Sequence, residues 1–302
     1  MPTLRLPILI AVLALCCRSS LAQFEFNASS TYVTSSSFTD EGEKGFGSGN
    51  LSRTKLSVSG PVALRYSTDS LPTLWMASVN TSYAYMDNHG DARRLNPTDV
   101  FNASVNGVFI RQLSKRTGIV ATLGVGLFCS PDYVRWQSLL FNGGCAFLYK
   151  ARENLIIGGG AGLTNSYGIP MAIPVLFLKW EPRGRFDLNV NLTSGLKITA
   201  GMKLGKHLHL GWTLIETEAM SAVFKQDGIN KIYSSLLVNS HLTPTWNLSK
   251  RSSIYLDLGC NFMRTSKVSP RKVRYFFSSK KGWKSRRFEP AFRISCGYRY
   301  KF

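Results

Sequence analysis

Apolar and polar residues alternate strictly along many short segments of this chain. In the last of them, apolar side chains occupy every second position from Phe292 to Phe302, and polar or small residues lie between them. Segments 186–193, 196–204 and 254–262 repeat the pattern. Because successive side chains of a β-strand point to opposite faces, this period of two predicts strands with one apolar and one polar face. About fourteen such segments can be placed along the chain.

The connections between these segments alternate between short and long. The short ones lie at residues 68–72, 114–116, 150–152, 181–183, 205–206 and 249–250. The long ones lie at residues 35–50, 87–98, 129–133, 165–168, 225–230 and 266–287, with one short turn, at 194–195, among them. Antiparallel strands place alternate connections at opposite ends. The pattern therefore predicts an all-β fold, a transmembrane antiparallel up-and-down β-barrel of about fourteen strands, with twelve as the alternative.

The N-terminus is typical of an exported protein. Arg5 precedes an apolar core, Leu6 to Cys17, that is too short to span a bilayer, and Ser20-Leu21-Ala22 has the small residues of a cleavage site. We expect residues 1–22 to be a signal peptide and residues 23–302 to form the barrel. No later apolar stretch approaches the ~20 residues of a transmembrane helix. With aromatic residues at the strand ends, these features favour a membrane barrel over a soluble sandwich.

The chain is strongly basic, with 37 lysines and arginines against 17 aspartates and glutamates. Some of these charges fall on the polar strand faces, which a membrane barrel turns toward its lumen. The lumen charges that we predict are Arg65, Lys197, Lys203, Asp257, Arg293, Arg299 and Lys301, together with Asp187. Because basic residues predominate, a wet lumen would prefer anions. Asp257 lies on the strand beside the last one, so we expect it to pair with Arg293 or Arg299.

One long connection, Ser266–Arg287, contains basic and aromatic residues but no acidic residue. Its basic residues are Lys267, Arg271, Lys272, Arg274, Lys280, Lys281, Lys284, Arg286 and Arg287. At the long-loop end of a barrel this segment would lie outside the cell, against outer-membrane lipid and the phosphates of lipopolysaccharide. An anionic solute or glycan is the alternative ligand, and we expect no nucleic-acid partner.

The remaining reactive residues give no pattern of a catalytic or metal site. His207 and His209 share a strand face, but the nearby Glu216 and Glu218 have the opposite parity in a regular strand. His241 faces the lumen without an evident catalytic partner. We therefore predict no catalytic residue, no metal and no cofactor, and a protein that is not an enzyme. The cysteines outside the first 22 residues show no CxxC spacing and are expected to remain unpaired.

The final strand resembles the last strand of bacterial outer-membrane β-barrel proteins. In that class the resemblance implies that Tyr298, Tyr300 and the terminal Phe302 form the signal read by the barrel-assembly machinery. The Gly-rich strand Ile157–Leu163, the Ile169-Pro170…Ile173-Pro174 segment and Trp180-Glu181-Pro182 are similar to a group of Bacteroidota outer-membrane barrels of unknown function. This resemblance supplies no activity and no catalytic residue.

These observations lead to two hypotheses for function. The first is a passive channel or small-solute transporter in the outer membrane of a Gram-negative bacterium, with a preference for anions. The second is a non-conducting structural, adhesive or lipid-binding barrel with a filled lumen. The consecutive apolar residues Leu176–Leu178 and the inward positions of Leu140 and Leu148 favour the second. The sequence gives no substrate.

Overall fold

The computed structural model describes residues 24–40, 47–66, 71–165, 171–181, 186–192, 195–226, 228–270 and 286–302. Within these ranges, fourteen long strands and three short ones form one sheet that closes on itself. The strands are β1 (Glu25–Thr39), β2 (Gly47–Tyr66), β3 (Pro72–Tyr85), β4 (Asn88–Gly90), β5 (Asp99–Gln112), β6 (Thr117–Cys129), β7 (Leu139–Arg152), β8 (Leu155–Thr164), β9 (Met171–Trp180), β10 (Phe186–Leu192), β11 (Leu196–Lys203), β12 (Leu208–Gln226), β13 (Ile229–Asn247), β14 (Ser252–Thr265), β15 (Lys267–Pro270), β16 (Arg287–Phe288) and β17 (Ala291–Lys301).

The wall is an antiparallel barrel, as the alternation of short and long connections predicts. Each long strand pairs with its neighbour in the chain, and β1 closes the circle by pairing with β17 on one side and β2 on the other. The short strands β4 and β16 extend the wall at the long-loop end, and β15 pairs with residues 231–234 of β13. The prediction of fourteen strands is confirmed.

Side-chain exposure separates the two faces of the wall. Leu123, Phe147 and Leu163 are 72%, 67% and 69% exposed, and they alternate with residues such as Thr122 and Thr164 that line an internal cavity. A soluble sandwich would bury its apolar face, whereas this sheet turns it outward. All backbone groups of the closed wall can bond to neighbouring strands, which is the requirement for crossing a bilayer.

Bulges interrupt the regular pairing at several places in the wall, and three of them change the direction of side chains that bear on the lumen. β2 shifts register between Pro61 and Ala63. β12 carries an extra residue between Thr213 and Glu216, and the β13–β14 pairing shifts beside Asn239. An extra residue moves every later side chain to the other face of the strand. Side chains beyond each bulge therefore depart from the faces that strict alternation predicts.

The ends of β12 and β13 leave the wall and cross the mouth of the barrel. We call residues 217–237, apart from the undescribed residue 227, the mouth hairpin. Val223 pairs in parallel with Cys129 of β6, although five wall strands separate β6 from β12. Met220, Ser221, Ala222 and Val223 are all buried, on both faces of the strand. A wall strand would expose one of those faces to lipid, so this segment lies inside the mouth.

Helical structure is sparse in the described part of the chain. A short helix, α1 (Asp91–Leu95), lies in the connection after β4, and a single 3-10 turn (Trp136–Ser138) precedes β7. No helix in the described ranges is long and apolar enough to cross a membrane.

Candidate functional site: the barrel lumen

A dry apolar layer closes the lumen at the long-loop end. Met220, Tyr233 and Leu237 of the mouth hairpin pack against Leu51 and Met86 from the opposite wall, and all five are buried. The Tyr233 hydroxyl donates to Met86 Sδ at 3.7 Å. We call this layer the mouth core.

Two hydrogen bonds join the mouth hairpin to the residues that follow β6. The backbone N–H of Ser130 donates to the Val223 carbonyl at 3.2 Å, and the Tyr133 hydroxyl donates to Asn230 Oδ1 at 2.7 Å. Tyr133 also packs with Val223 and Ile232 in a second apolar cluster. These contacts hold the tip of the mouth hairpin against the segment that follows β6.

Arg264 supports the mouth core from the wall. Its guanidinium donates to the carbonyls of Asn50 and Gly49 at 2.9 and 3.0 Å and lies 3.7 Å from the ring centre of Phe288. Strict alternation along β14 assigns Arg264 to the outer face. The bulge beside Asn261 turns it inward, where it is almost fully buried. Sequence reasoning missed this residue.

Glu218 is the centre of an ion cluster below the mouth core. It accepts hydrogen bonds from Arg53, at 3.2 Å, and from Lys55. Glu216, two residues before it, pairs with Lys197 at 2.6 Å. In a regular strand both glutamates would have the parity of the outer face, opposite to that of His207 and His209. The extra residue in β12 reverses that parity, so this prediction was wrong.

A second ion cluster lies lower in the lumen. Asp257 pairs with Arg293 at 3.5 Å, which is one of the two partners that its position predicts. His241 Nε2 lies 3.9 Å from the same carboxylate, and the Thr243 hydroxyl donates to it at 2.8 Å. All four groups are held in place by one another. The arrangement joins side chains of β13, β14 and β17 on the lumen side of the wall.

Basic side chains surround the opening at the short-turn end. They line a hollow of about 390 Å³ and comprise Lys203, Lys206, Lys250, Arg251, Arg299 and Lys301. We call this hollow the basic vestibule. Glu25 partly offsets its charge, since it lies 3.1 Å from Arg299 and 4.0 Å from Lys301.

Arg65 does not lie with the other predicted lumen charges. After the bulge in β2, Arg65 is paired with Thr73, two residues from Trp75 on β3. Trp75 is half-exposed on the outward parity of that strand. The bulge therefore moves Arg65 to the outer face, near the short-turn end.

The histidines take part in separate hydrogen bonds. His209 Nε2 lies 3.3 Å from Asp187, and His207 Nδ1 lies 3.2 Å from the Asn247 carbonyl. Across the described ranges, no group of three His, Cys, Asp or Glu side chains is placed to hold a metal ion.

Most of the basic loop lies outside the described residues. The predicted basic residues in that part of the loop are Arg271, Lys272, Arg274, Lys280, Lys281 and Lys284. At its edges, Lys267 is in β15, Arg287 is in β16, and Arg286 pairs with Asp40 at 3.0 Å. These contacts attach both ends of the loop to the long-loop end of the barrel.

The final strand has the predicted faces. Tyr298, Tyr300 and Phe302 share the outward parity, and the rings of the last two lie 5.0 Å apart in a T-shaped arrangement. The Phe302 N–H donates to the Phe24 carbonyl at 2.8 Å, which closes the barrel at its seam.

A family model matches residues 18–301 and is described as a domain of unknown function, DUF6268. The chain belongs to this family. No curated protein matches the sequence. The Bacteroidota resemblance expected from the sequence motifs is not tested by this match, because the family description gives no source.

This chain is similar to solved structures of two channels and a porin over most of its length. The COG4313 outer membrane channel from Pseudomonas putida F1 is 12% identical, with a TM-score of 0.47, and the alignment covers 93% of this chain and 96% of that one. The TodX monoaromatic hydrocarbon channel deltaS2 mutant is 9% identical, with a TM-score of 0.48 and coverage of 93% and 90%. The KdgM porin in complex with disordered oligogalacturonate is 8% identical, with a TM-score of 0.31 and coverage of 91% and 99%.

Proposed function

We propose that this DUF6268 protein is an outer-membrane channel for small polar solutes, and that the mouth hairpin closes its outer end in the conformation described here. The observation that carries the proposal is the hairpin itself. It crosses a lumen whose lining includes many polar side chains, and its contact with β6 and the residues after it consists of one strand pairing and two hydrogen bonds. A purely structural barrel has no need of a polar interior beneath a separate cover.

The cavities below the mouth core form a connected series, because neighbouring cavities share lining residues. A cavity of about 520 Å³ and a second of about 380 Å³ share Lys197, Glu216 and Glu218. The second shares His209 and Arg299 with the basic vestibule. A solute entering at the short-turn end would therefore meet polar walls up to the mouth core. Opening one apolar layer would complete the path.

The preference for anions belongs to the basic vestibule in this proposal. Deeper in the lumen, Glu216, Glu218 and Asp257 offset Lys197, Arg53, Lys55 and Arg293. The vestibule keeps an excess of basic side chains, and charges at an opening raise the local concentration of the opposite ion. We expect the resulting selectivity to be modest, because the Debye length is only ~8 Å at physiological salt.

The remaining expectations about location complete the proposal. Residues 1–22 would direct export and be removed before Gln23. The barrel-assembly machinery would insert the chain with its short turns in the periplasm. The basic loop would then meet lipopolysaccharide outside the cell, where its charge suits phosphate groups.

A disulfide across the mouth tests the gating function. Cys129 pairs with Val223, and neighbouring strands are ~4.8 Å apart, within the range that a disulfide needs. We expect oxidised Val223→Cys protein to block ion conductance in planar bilayers, and reductant to restore it. The double variant Val223→Cys with Cys129→Ser is the control and should be insensitive to oxidant.

The result also separates the two functional hypotheses. Equal conductance in the oxidised and reduced variant would show that the mouth hairpin does not gate the lumen. Absence of conductance in the unmodified protein and in the reduced variant would favour the non-conducting barrel. The inward Leu140, Leu148 and Phe177 give that alternative its structural support, since they fill part of the lumen.

A further inference from the structure

The cavity beneath the mouth hairpin has the lining of a binding site for a neutral ligand. Four asparagines, Asn80, Asn106, Asn142 and Asn191, and the hydroxyls of Ser104 and Thr122 face a space of about 520 Å³. We infer that this cavity binds a small neutral polyhydroxylated solute, a monosaccharide or a short oligosaccharide. The inference rests on the proposed channel function, because the solute must reach the cavity through the lumen.

The charges of the cavity argue against an ionic ligand. Its lining includes two basic residues, Arg53 and Lys197, and two acidic ones, Glu216 and Glu218. All four are engaged in ion pairs inside the barrel. An anion or a cation would have to break one of these pairs to gain a partner, and a neutral solute would not.

The amides converge from neighbouring strands at Gly124. A methyl group at this position would collide with both Asn106 Oδ1 and Asn142 Oδ1, so glycine is what lets the two amides approach. The Asn80 and Asn106 amides each donate to Ser78 Oγ, at 3.3 and 3.4 Å. These bonds are longer than the usual 2.7–3.2 Å. The amides can therefore exchange a long internal bond for a shorter one to a ligand hydroxyl.

The cavity also has an apolar part that suits a sugar ring. Val108, Phe128, Ile173 and Val175 line it together with the amides. A sugar has C–H groups on its faces and hydroxyls on its edge, so it can contact both kinds of surface at once. An inorganic ion or a fully solvated small electrolyte would gain nothing from the apolar residues. A volume of about 520 Å³ also lies within the ~300–1,000 Å³ of ligand pockets.

Three ligands of one scaffold test the inference. Equilibrium dialysis of the purified, refolded protein would compare glucose, glucose 6-phosphate and glucosamine. We expect glucose to bind with a dissociation constant on the order of millimolar, as suits a site that must release its ligand. The phosphorylated and the amino sugar should bind at least several-fold more weakly. Tighter binding of either charged sugar, or no binding of glucose, would overturn the inference.

A pair of variants places the site. Asn106→Leu with Asn142→Leu keeps the side-chain shape but removes the amides, and we expect glucose affinity to fall about 25-fold, since each of the two hydrogen bonds is worth roughly a factor of five. Asn189→Leu, on β10 outside the cavity lining, is the matched control and should leave affinity unchanged. Unchanged affinity in the double variant would overturn the placement.

Ion conductance of the same preparation separates this inference from the channel proposal. A protein that conducts but does not bind glucose would overturn the ligand assignment alone. If neither unmodified nor reduced Val223→Cys protein conducts, the channel proposal fails. The glucose series on unmodified protein remains decisive if the double variant does not fold.

Discussion

At the scale of single residues, paired charges dominate the interior of this barrel. Glu218 is only 20% exposed and balances two basic side chains from β2. A buried charge that loses its partner is strongly destabilising, whereas an intact pair contributes little net stability. The effect of the lumen ion pairs on stability is therefore largest in variants that remove one member of a pair.

Replacing Glu218 by glutamine should destabilise the barrel by roughly 3 kcal/mol, because it leaves Arg53 and Lys55 without their carboxylate. Urea unfolding in detergent, followed by tryptophan fluorescence, would measure the change. Glu181→Gln provides the control: its pair with Lys179 is 58% and 44% exposed, and the loss should stay below about 1 kcal/mol. Equal stability of the two variants would contradict this account of Glu218.

At the scale of elements, the regular strands could be predicted and the bulges could not. Period-two alternation identifies the walls because lipid and lumen impose opposite polarity on alternate residues. A bulge inserts one residue without changing composition. Leu214 and Ile215, adjacent apolar residues, were the available signal in β12. Leu176–Leu178 gives the same signal in β9, yet the pairing there stays in register and Phe177 simply faces the lumen.

The mouth hairpin could not be predicted from the sequence either. Alternation describes which face of a strand is polar, and it contains no information about where a long hairpin bends. Residues 220–223 are buried on both faces, which removes the pattern where it would be informative. The residues of the candidate site were likewise predicted where the wall is regular and missed beyond the bulges. The Asp257–Arg293 pair lies in a regular part of the wall and was predicted, whereas Glu218 and Arg264 lie beyond bulges and were missed.

Tyr133→Phe should open the mouth more often, because it removes the hydroxyl that holds Asn230. A net hydrogen bond is worth about 1 kcal/mol, so the open-to-closed ratio should rise roughly fivefold. Single-channel recording would measure the open probability. Tyr83→Phe is the matched control, since its hydroxyl bonds to Asp99 on the outer face, away from the hairpin. An unchanged open probability for Tyr133→Phe would show that this hydroxyl does not help to hold the mouth closed.

At the scale of the whole molecule, charge is distributed unevenly along the lumen axis. Ion pairs neutralise much of the middle, and the basic vestibule keeps its excess at the short-turn end. The prediction from the sequence listed the inward charges without their positions along the lumen axis, so it did not separate these regions. It omitted Glu216, Glu218, Arg53 and Lys55, and it included Arg65.

Lys203→Glu combined with Arg299→Glu should reduce or invert a preference for chloride over potassium. Both residues belong to the basic vestibule, so the change acts where we place the selectivity. Reversal potentials across a salt gradient would measure it. Arg65→Glu, on the outer face, should have no comparable effect. Cation selectivity of the unmodified protein would refute the electrostatic argument.

Deletion of Phe302 should impair insertion and leave protein in the periplasm. The terminal aromatic completes the outward surface of β17, and its N–H joins the strand to Phe24 at the barrel seam. Cell fractionation with a heat-modifiability gel would measure the inserted fraction. Phe292→Leu, on the same face but at the other end of β17, should insert normally. Normal insertion of the deletion would remove the support for an assembly signal.

The bulge in β12 sets which of the side chains that follow it point into the barrel. One extra residue between Thr213 and Glu216 decides that Glu216 and Glu218 point into the barrel. Loss of a single residue there would reverse the faces of both glutamates and of their neighbours without replacing any side chain. In such a segment, a deletion of one residue is a larger alteration than a substitution of several.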